Sequence, residues 1–197
     1  MKLHIFPASP NARKTVTVNE LLGLNIETVV VDLPNGAHKS AEYLALNPMG
    51  KVPTLELDDG SSLWESNAII NRLASEVDTA LWPKTMARYD IMRWQFWELA
   101  HWAPACSQFI SKHLFGNEEV DLAKAEEGFK VVAGVLDEHL ASRDWLVGDA
   151  MTNADISVAA ILAYRAPCQY PMASFANINR WVGQIEELSA WQLANAA

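Results

Sequence analysis

The pattern of hydrophobic residues changes at residues 78–83, and this change constrains the fold more than any other feature of the sequence. Before it, short β-branched runs alternate with helical patterns, whereas from Lys84 onward apolar and aromatic residues recur only at helical spacing. The segment itself, DTALWP, breaks the helical pattern and ends in a proline, which disfavours helix in the residue before it. We therefore expect two domains, residues 1–77 and residues 84–197, joined by a linker at residues 78–83.

The first domain is expected to form a small mixed sheet with helices on its faces. Short apolar runs predict four strands, at Leu3–Phe6, Glu27–Val31, Val52–Leu57 and Ser62–Trp64. After the first strand, Ser9 and Pro10 predict the start of a helix, and Gly23 predicts its end. Helical spacing returns after the fourth strand. The order βαβ, followed by a hairpin and a helix, is typical of an α/β domain.

The second domain is expected to be an all-α bundle. Its predicted helices lie in four segments with apolar residues at helical spacing: Met86–Phe115, Val120–Leu140, Ala154–Ala163 and Phe175–Leu188. Pro104 predicts a kink in the first of these helices. Thr152 and Asp155 have the spacing of a capping box, in which each side chain accepts a hydrogen bond from the other residue's backbone N–H group.

Charge and composition disfavour several classes of protein. The formal net charge is −9, and a nucleic-acid partner is not expected because a phosphate backbone requires a basic face. No stretch approaches the roughly 20 apolar residues that span a bilayer, and MKLHIFPASP lacks the apolar core of a signal peptide. Cys106 and Cys168 are far apart and lack metal-ligand spacing. We therefore expect a cytoplasmic protein that binds neither a membrane nor a metal. Both cysteine thiols are expected to pack in the core.

The residues from Asn47 to Ser66 give the strongest indication of a ligand. Pro53 begins an apolar strand, where it removes one N–H donor from the hydrogen bonds between strands. It is either an ordinary proline of an edge strand, or it follows a cis peptide bond that turns the Val52 backbone toward the peptide groups of a ligand. Ser66 begins the following helix, whose N-terminus can bind a carboxylate, and the adjacent Glu65 can pair with an ammonium group. Alternatively, Ser66 merely caps the helix and Glu65 is solvated.

Three basic residues could hold a second carboxylate. His38 and Lys39 lie in a predicted polar loop, and Lys51 is expected nearby in the fold. A loop of this composition is also common as plain surface. The sequence contains no Ser–His–Asp arrangement, P-loop or dinucleotide-binding fingerprint.

The segment HKSAEYLALNPMGKVPTLELDDGSSLWESNAI resembles the soluble glutathione S-transferase superfamily, most closely its phi, theta and related bacterial classes. LVGDAMTNADI, late in the chain, resembles the same family more weakly. The resemblance implies a thioredoxin-like domain that binds glutathione, followed by an all-helical domain. It also implies a cytoplasmic homodimer involved in detoxification, with Met49 as a candidate interface residue.

The resemblance assigns a role to each residue that matches the family motif. Val52, before a cis Pro53, would bind the cysteinyl backbone of glutathione, and Glu65 and Ser66 would hold its γ-glutamyl end. The glycyl end would be surrounded by basic side chains, namely His38, Lys39 and Lys51, although many relatives carry glutamine in place of Lys51.

Ser9 occupies the position at which Ser-type members activate the thiol, and Asn11 matches an asparagine of some phi-like and disulfide-reductase-like members. A free thiol of pKa about 8.5–9 holds little thiolate at neutral pH, and a hydroxyl donor at a helix N-terminus favours the anion. Lowering this pKa by about two units corresponds to roughly 2.7 kcal/mol. The alternative is that Ser9 uses its hydroxyl only to cap the helix.

The expected function is conjugation of glutathione, as co-substrate, to a small hydrophobic electrophile. The electrophile pocket would have walls from Met86–Phe115 and from the helix around Trp181. One alternative is a glutathione-dependent disulfide reductase or peroxidase that uses Ser9 and Asn11, and another is a non-catalytic glutathione-binding interaction module. The SSCSxR signature of zeta isomerases is missing, and no cysteine stands at Ser9, Asn11 or Ala12, which disfavours omega-like exchange.

Overall fold

The computed structural model describes residues 1–196, and their contacts divide the chain into two compact units. The first unit contains Met1–Trp82 together with the residues from Glu187 onward, and the second contains Pro83–Glu186. This division differs from the expected domain of residues 84–197 by the segment from Glu187 onward. Hydrophobic periodicity shows that a helix has an apolar face, but it does not show which element that face packs against.

The first unit contains a four-stranded sheet in the order β2-β1-β3-β4. The strands are β1 (Lys2–Ile5), β2 (Glu27–Val30), β3 (Thr54–Glu56) and β4 (Ser62–Trp64). β1 pairs in parallel with β2 and antiparallel with β3, and β3 pairs antiparallel with β4. Leu3 and Leu55 are partners across the two central strands, and both are buried. The four predicted strands are confirmed, with ends that differ by up to two residues.

Nine α-helices lie within residues 1–196. They are α1 (Pro10–Leu22), α2 (Ala41–Leu46), α3 (Ser66–Ala74), α4 (Ala87–Trp97), α5 (Ala103–His113), α6 (Leu122–Leu140), α7 (Asn153–Ala159), α8 (Ala176–Glu186) and α9 (Ser189–Ala196). In the same part of the chain, no helix is long and apolar enough to cross a membrane.

The ends of α1 follow from its sequence. The Ser9 side chain accepts a hydrogen bond from the backbone N–H of Ala12, and Pro10 occupies the first turn, where a backbone N–H group is not needed. Gly23 adopts a left-handed conformation at the other end, with φ of 61°. Both predicted ends are therefore confirmed.

Three helical segments were not predicted from the sequence: the 3₁₀ turn Ala37–Lys39, α2 and α9. His38 and Lys39 belong to a 3₁₀ turn, Ala37–Lys39, and α2 follows it with Ser40 as its N-cap. The predicted polar loop is therefore wrong in its local structure. A helix of six residues spans fewer than two turns, which is too short for hydrophobic periodicity to reveal.

The α9 helix packs on α1 in the first unit. Trp191 is buried, and the guanidinium carbon of Arg13 lies 5.9 Å from the centroid of its ring. This distance is typical of a cation–π contact. The buried tryptophan explains why these residues belong to the first unit.

The long helix predicted at Met86–Phe115 is interrupted where the sequence indicated. A π-helical segment, Glu98–Trp102, joins α4 to α5, and Pro104 lies in the first turn of α5. Proline cannot donate the hydrogen bond that a continuous α-helix requires at that position. A π-helical turn is one of the recognised ways in which a helix accommodates such a break.

A buried capping network organises the second unit around Asp155. Its carboxylate accepts hydrogen bonds from the backbone N–H of Leu146 at 2.9 Å, from that of Thr152 at 2.8 Å and from Nε1 of Trp181 at 2.9 Å. The predicted capping box is confirmed. Burial raises the pKa of Asp155, while these hydrogen bonds act to lower it.

Trp181 serves the core of the second unit. Trp181 is 0% exposed and therefore lies in the core, whereas the expectation that the helix around it forms a wall of an electrophile pocket stays a prediction. The aromatic residues Trp94 and Trp102 are also buried. The cysteines behave as expected: Cys106 and Cys168 are free and buried, and burial raises the pKa of both thiols.

We expect Asp155→Ala to lower the free energy of unfolding by about 3 kcal/mol, because it leaves several buried donors without an acceptor. The matched control is Asp121→Ala, which removes the exposed N-cap of α6 and should cost about 1 kcal/mol. Urea denaturation followed by circular dichroism measures both. Equal losses for the two variants would contradict a special role for the buried network.

Gly50 is expected to tolerate no side chain. Its φ is 58°, and an added Cβ would lie 3.0 Å from the His38 carbonyl oxygen and 3.3 Å from Cδ2 of Leu44. Gly60 also has a positive φ, but nothing lies within 4 Å of its added Cβ. We expect Gly50→Ala to destabilise the protein by at least about 1 kcal/mol more than Gly60→Ala in thermal unfolding. Similar losses would show that only backbone conformation matters at Gly50.

Candidate functional site

The junction between β4 and α3 has an unusual backbone conformation. Glu65 adopts φ 73° and ψ 112°, a region that a residue with a side chain enters only at a cost of about 1–3 kcal/mol. Its side chain is exposed. Glu65 is also the N-cap residue of α3, and within residues 1–196 its side chain makes no capping hydrogen bond. The first turn of α3 therefore receives no acceptor from its N-cap side chain.

Ser66 is the first residue of α3 and is 6% exposed. Because the N-cap position belongs to Glu65, the alternative in which Ser66 caps the helix does not describe this structure. Its hydroxyl instead donates to Oδ1 of Asn11 at 3.3 Å and accepts from Nζ of Lys14 at 3.4 Å. The structure thus brings Ser66 next to Asn11, which the sequence had singled out separately.

Lys14 and Asn67 were missed by the sequence analysis. Lys14 is 1% exposed, and its Nζ also donates to Oδ1 of Asn67 at 3.4 Å. The one sequence feature that pointed to Lys14 is the run TVTV that follows it. The four residues of this run are all buried in α1. A lysine that begins such a run is a candidate for burial, but a single sequence does not show its partners.

The segment before β3 is held by two side chains that the sequence analysis did not consider as site residues. The backbone carbonyl of Lys51 accepts from Oη of Tyr43 at 2.7 Å and from Nδ2 of Asn47 at 2.8 Å. Burial raises the pKa of Tyr43, so its hydroxyl remains a donor at neutral pH. The Val52–Pro53 peptide bond that follows is cis.

The three basic residues differ in exposure. Lys39 and Lys51 are exposed, whereas His38 is partly buried. The His38 carbonyl lies close to Gly50, which places the 3₁₀ turn beside the segment that leads to Lys51. The Nδ1 atom of His38 is buried and has no hydrogen-bond partner among the described residues.

Ser9 lies at the start of α1 and is partly exposed. Its Oγ accepts the capping hydrogen bond from the backbone N–H of Ala12 at 3.3 Å. Accepting this bond uses a lone pair and leaves the hydroxyl proton available for donation. Capping and donation to a thiol are therefore compatible, although the sequence analysis treated them as alternatives. Asn11 lies in the same first turn and is exposed.

Comparison with known proteins identifies the family. The family models described as "Glutathione S-transferase, N-terminal domain" and "Glutathione S-transferase, C-terminal domain" match residues 8–76 and 95–188. A solved glutathione transferase from Pseudomonas putida, with one glutathione disulfide bound per subunit, superimposes with a TM-score of 0.87 at 26% identity. The alignment covers 98% of this chain and 90% of that one. The thioredoxin-like first domain and the helical second domain are thereby confirmed.

Two curated relatives show the range of proteins that share this sequence pattern. Glutathione S-transferase 3 of Zea mays is 35% identical over 210 residues, which cover 100% of this chain and 94% of the relative. Elongation factor 1-gamma-A of Xenopus laevis is 32% identical over 158 residues, which cover 73% of this chain but only 34% of that protein. The likeness to the maize protein extends over nearly the whole of both chains, and the chain described here belongs to the glutathione S-transferase family.

Proposed function

We propose that this protein binds glutathione through the first unit and transfers it to a small hydrophobic electrophile, as a Ser-type enzyme of the phi/theta-like bacterial group. The observation that carries the proposal is the N-terminus of α3. There, a strained Glu65 and a Ser66 hydroxyl held between Asn11 and Lys14 lie beside helix N–H groups without a side-chain cap. Strain of this kind is retained where the surrounding structure and a function require it.

The γ-glutamyl end of glutathione matches this arrangement. It carries a carboxylate and an ammonium group on one carbon atom. The carboxylate would bind the first-turn N–H groups of α3 and the Ser66 hydroxyl, where the helix dipole favours negative charge. The exposed Glu65 carboxylate would pair with the ammonium group.

The cysteinyl and glycyl parts of glutathione would be bound by residues near β3. Val52 would bind the cysteinyl backbone beside the cis Pro53, and the hydrogen bonds from Tyr43 and Asn47 to the Lys51 carbonyl support this segment. The glycyl carboxylate would lie among the basic side chains His38, Lys39 and Lys51. The Nδ1 atom of His38 has no hydrogen-bond partner in the described part of the chain, which supports the inclusion of His38.

Ser9 would activate the thiol by donating a hydrogen bond from its hydroxyl group to the sulfur, which stabilises the thiolate that forms when the thiol proton passes to solvent. Its Oγ already accepts a bond from the α1 backbone, so the hydroxyl group is oriented at the positive end of that helix. The thiolate then attacks an electrophilic carbon and forms a thioether, while the leaving group departs with the electron pair of the broken bond. Asn11 would assist as a second donor through its amide Nδ2.

Two other functions stay open as alternatives. The pairing of Ser9 with Asn11 also suits a glutathione-dependent disulfide reductase or peroxidase, in which the thiolate attacks sulfur or oxygen. The likeness to the elongation factor favours a non-catalytic interaction module. Against that alternative, Ser66, Asn11 and Lys14 form a connected polar network that a scaffold has no need to retain.

Location and assembly follow from the same family membership. We propose a cytoplasmic homodimer, in which Met49 contributes to the interface. Its side chain is 56% exposed, which is high for a large apolar residue.

We expect the purified protein to bind immobilised glutathione and to conjugate an aryl halide faster than it reduces a mixed disulfide. Retention on the resin and elution by free glutathione measure binding, and absorbance assays measure the two reactions. A folded protein that does not bind glutathione would contradict the central proposal. Faster reduction of the disulfide would favour the reductase instead.

Ser9→Ala is expected to raise the pKa of the bound glutathione thiol by about one to two units toward its free value of about 8.5–9 and to lower kcat at least about tenfold. The ultraviolet absorbance of the thiolate, followed against pH, measures the shift. The matched control is Asp121→Ala, which also removes a helix N-cap, but an exposed one in the second unit. Unchanged activity in Ser9→Ala would transfer the role to Asn11 or to a backbone donor.

A further inference from the structure

Lys14 is buried to an extent that is rare for a lysine. It is 1% exposed in the interior of α1, and its side chain reaches Ser66 and Asn67 in the first turn of α3. Fully buried lysines are uncommon because removing the ammonium group from water costs free energy. An apolar residue of similar length would pack between two helices without that cost. A lysine at this place puts a donor group against the first turn of α3, within hydrogen-bond reach of Ser66 and Asn67.

The chemistry of an ammonium group determines the direction of the hydrogen bonds. Because it can only donate, Nζ of Lys14 donates to Oγ of Ser66, and the Ser66 hydroxyl proton is directed to Oδ1 of Asn11. The chain of donors runs from Lys14 through Ser66 to Asn11. The two distances, 3.4 Å and 3.3 Å, are longer than those of typical hydrogen bonds, so the Ser66 hydroxyl can turn to another acceptor at little cost.

We propose that Lys14 is a positioning residue for the carboxylate of an α-amino-acid group at the N-terminus of α3, an inference that rests on the proposed glutathione site. Lys14 holds the Ser66 oxygen from the protein side, so the hydroxyl proton faces either Asn11 or the ligand. When a carboxylate arrives, the proton turns toward it and Asn11 is released. The buried positive charge also strengthens Ser66 as a donor and adds to the field of the α3 dipole.

This arrangement connects the γ-glutamyl end of the ligand with its thiol. Asn11 is hydrogen-bonded to Ser66, and it is also the residue proposed to assist Ser9 at the thiol. Occupation of the carboxylate position would free the Asn11 amide to reorient. The γ-glutamyl end would thereby influence the residue that acts at the sulfur.

The test compares two peptides on the same variants. One is glutathione, and the other carries 4-aminobutyrate in place of the γ-glutamyl residue, so that it lacks only the α-carboxylate. Lys14→Met removes the charge and the donor, Lys14→Gln removes only the charge, and Lys130→Met is the control at an exposed lysine that pairs with Glu126. Calorimetry measures the Kd of each peptide, and thermal unfolding confirms the fold.

We expect Lys14→Met to weaken glutathione binding by about tenfold or more while changing the Kd of the 4-aminobutyryl peptide less than about twofold. Lys14→Gln should show the same selectivity with a smaller loss, and Lys130→Met should change neither Kd. In the conjugation assay the KM for glutathione should rise in Lys14→Met, and kcat should fall less than KM rises.

Equal losses for the two peptides, or no loss for either, would overturn the inference, because a merely structural lysine does not distinguish them. Failure of both Lys14 variants to fold would also overturn the inference, because it would show that Lys14 is required for folding. If the unaltered protein binds neither peptide, the proposed function is wrong. If instead the unaltered protein and Lys14→Met bind glutathione equally well, the proposed function stands and only the inference about Lys14 is wrong.

Discussion

The first unit depends on the way in which β4 passes into α3 at Glu65. A residue with a side chain adopts φ 73° only where the surrounding elements leave the chain no alternative. Here β4 is fixed by its antiparallel pairing with β3, and α3 is fixed by buried side chains such as Ile69, Ile70 and Leu73. Because both elements are fixed, the change of chain direction between them falls on the backbone of Glu65. Its result is an exposed carboxylate beside the open N-terminus of a helix.

A second consequence of this turn is the packing of α3 on α1. Ser66 contacts Asn11 and Lys14 because the helix begins immediately after the strained residue. The first turn of α1 carries Ser9 at its cap, so the proposed carboxylate and thiol positions are set by two helix N-termini. Both positions use the same physical property, the partial positive charge of unpaired N–H groups.

The second unit uses a buried polar network for a different purpose. Asp155 accepts bonds from Leu146, Thr152 and Trp181, and these contacts fix the start of α7 and a core tryptophan together. The spacing of Thr152 and Asp155 predicted the local part of this network, because a capping box involves residues only three positions apart. The contact with Trp181, 26 residues away, was not predictable from spacing. It holds Trp181 in the core of the second unit.

The sequence by itself determined the strands, the ends of α1, the break near Pro104 and the family, because each depends on neighbouring residues or on an ordered motif. Tertiary structure alone decided that Lys14 lies beneath Ser66, that Tyr43 and Asn47 hold the Lys51 carbonyl and that α9 packs on α1. These contacts depend on how a side chain meets a backbone carbonyl, another polar group or another helix, which a hydrophobic pattern does not specify. A hydrophobic pattern specifies which face of an element is buried, but the partner of a buried polar group is fixed only when the elements have packed.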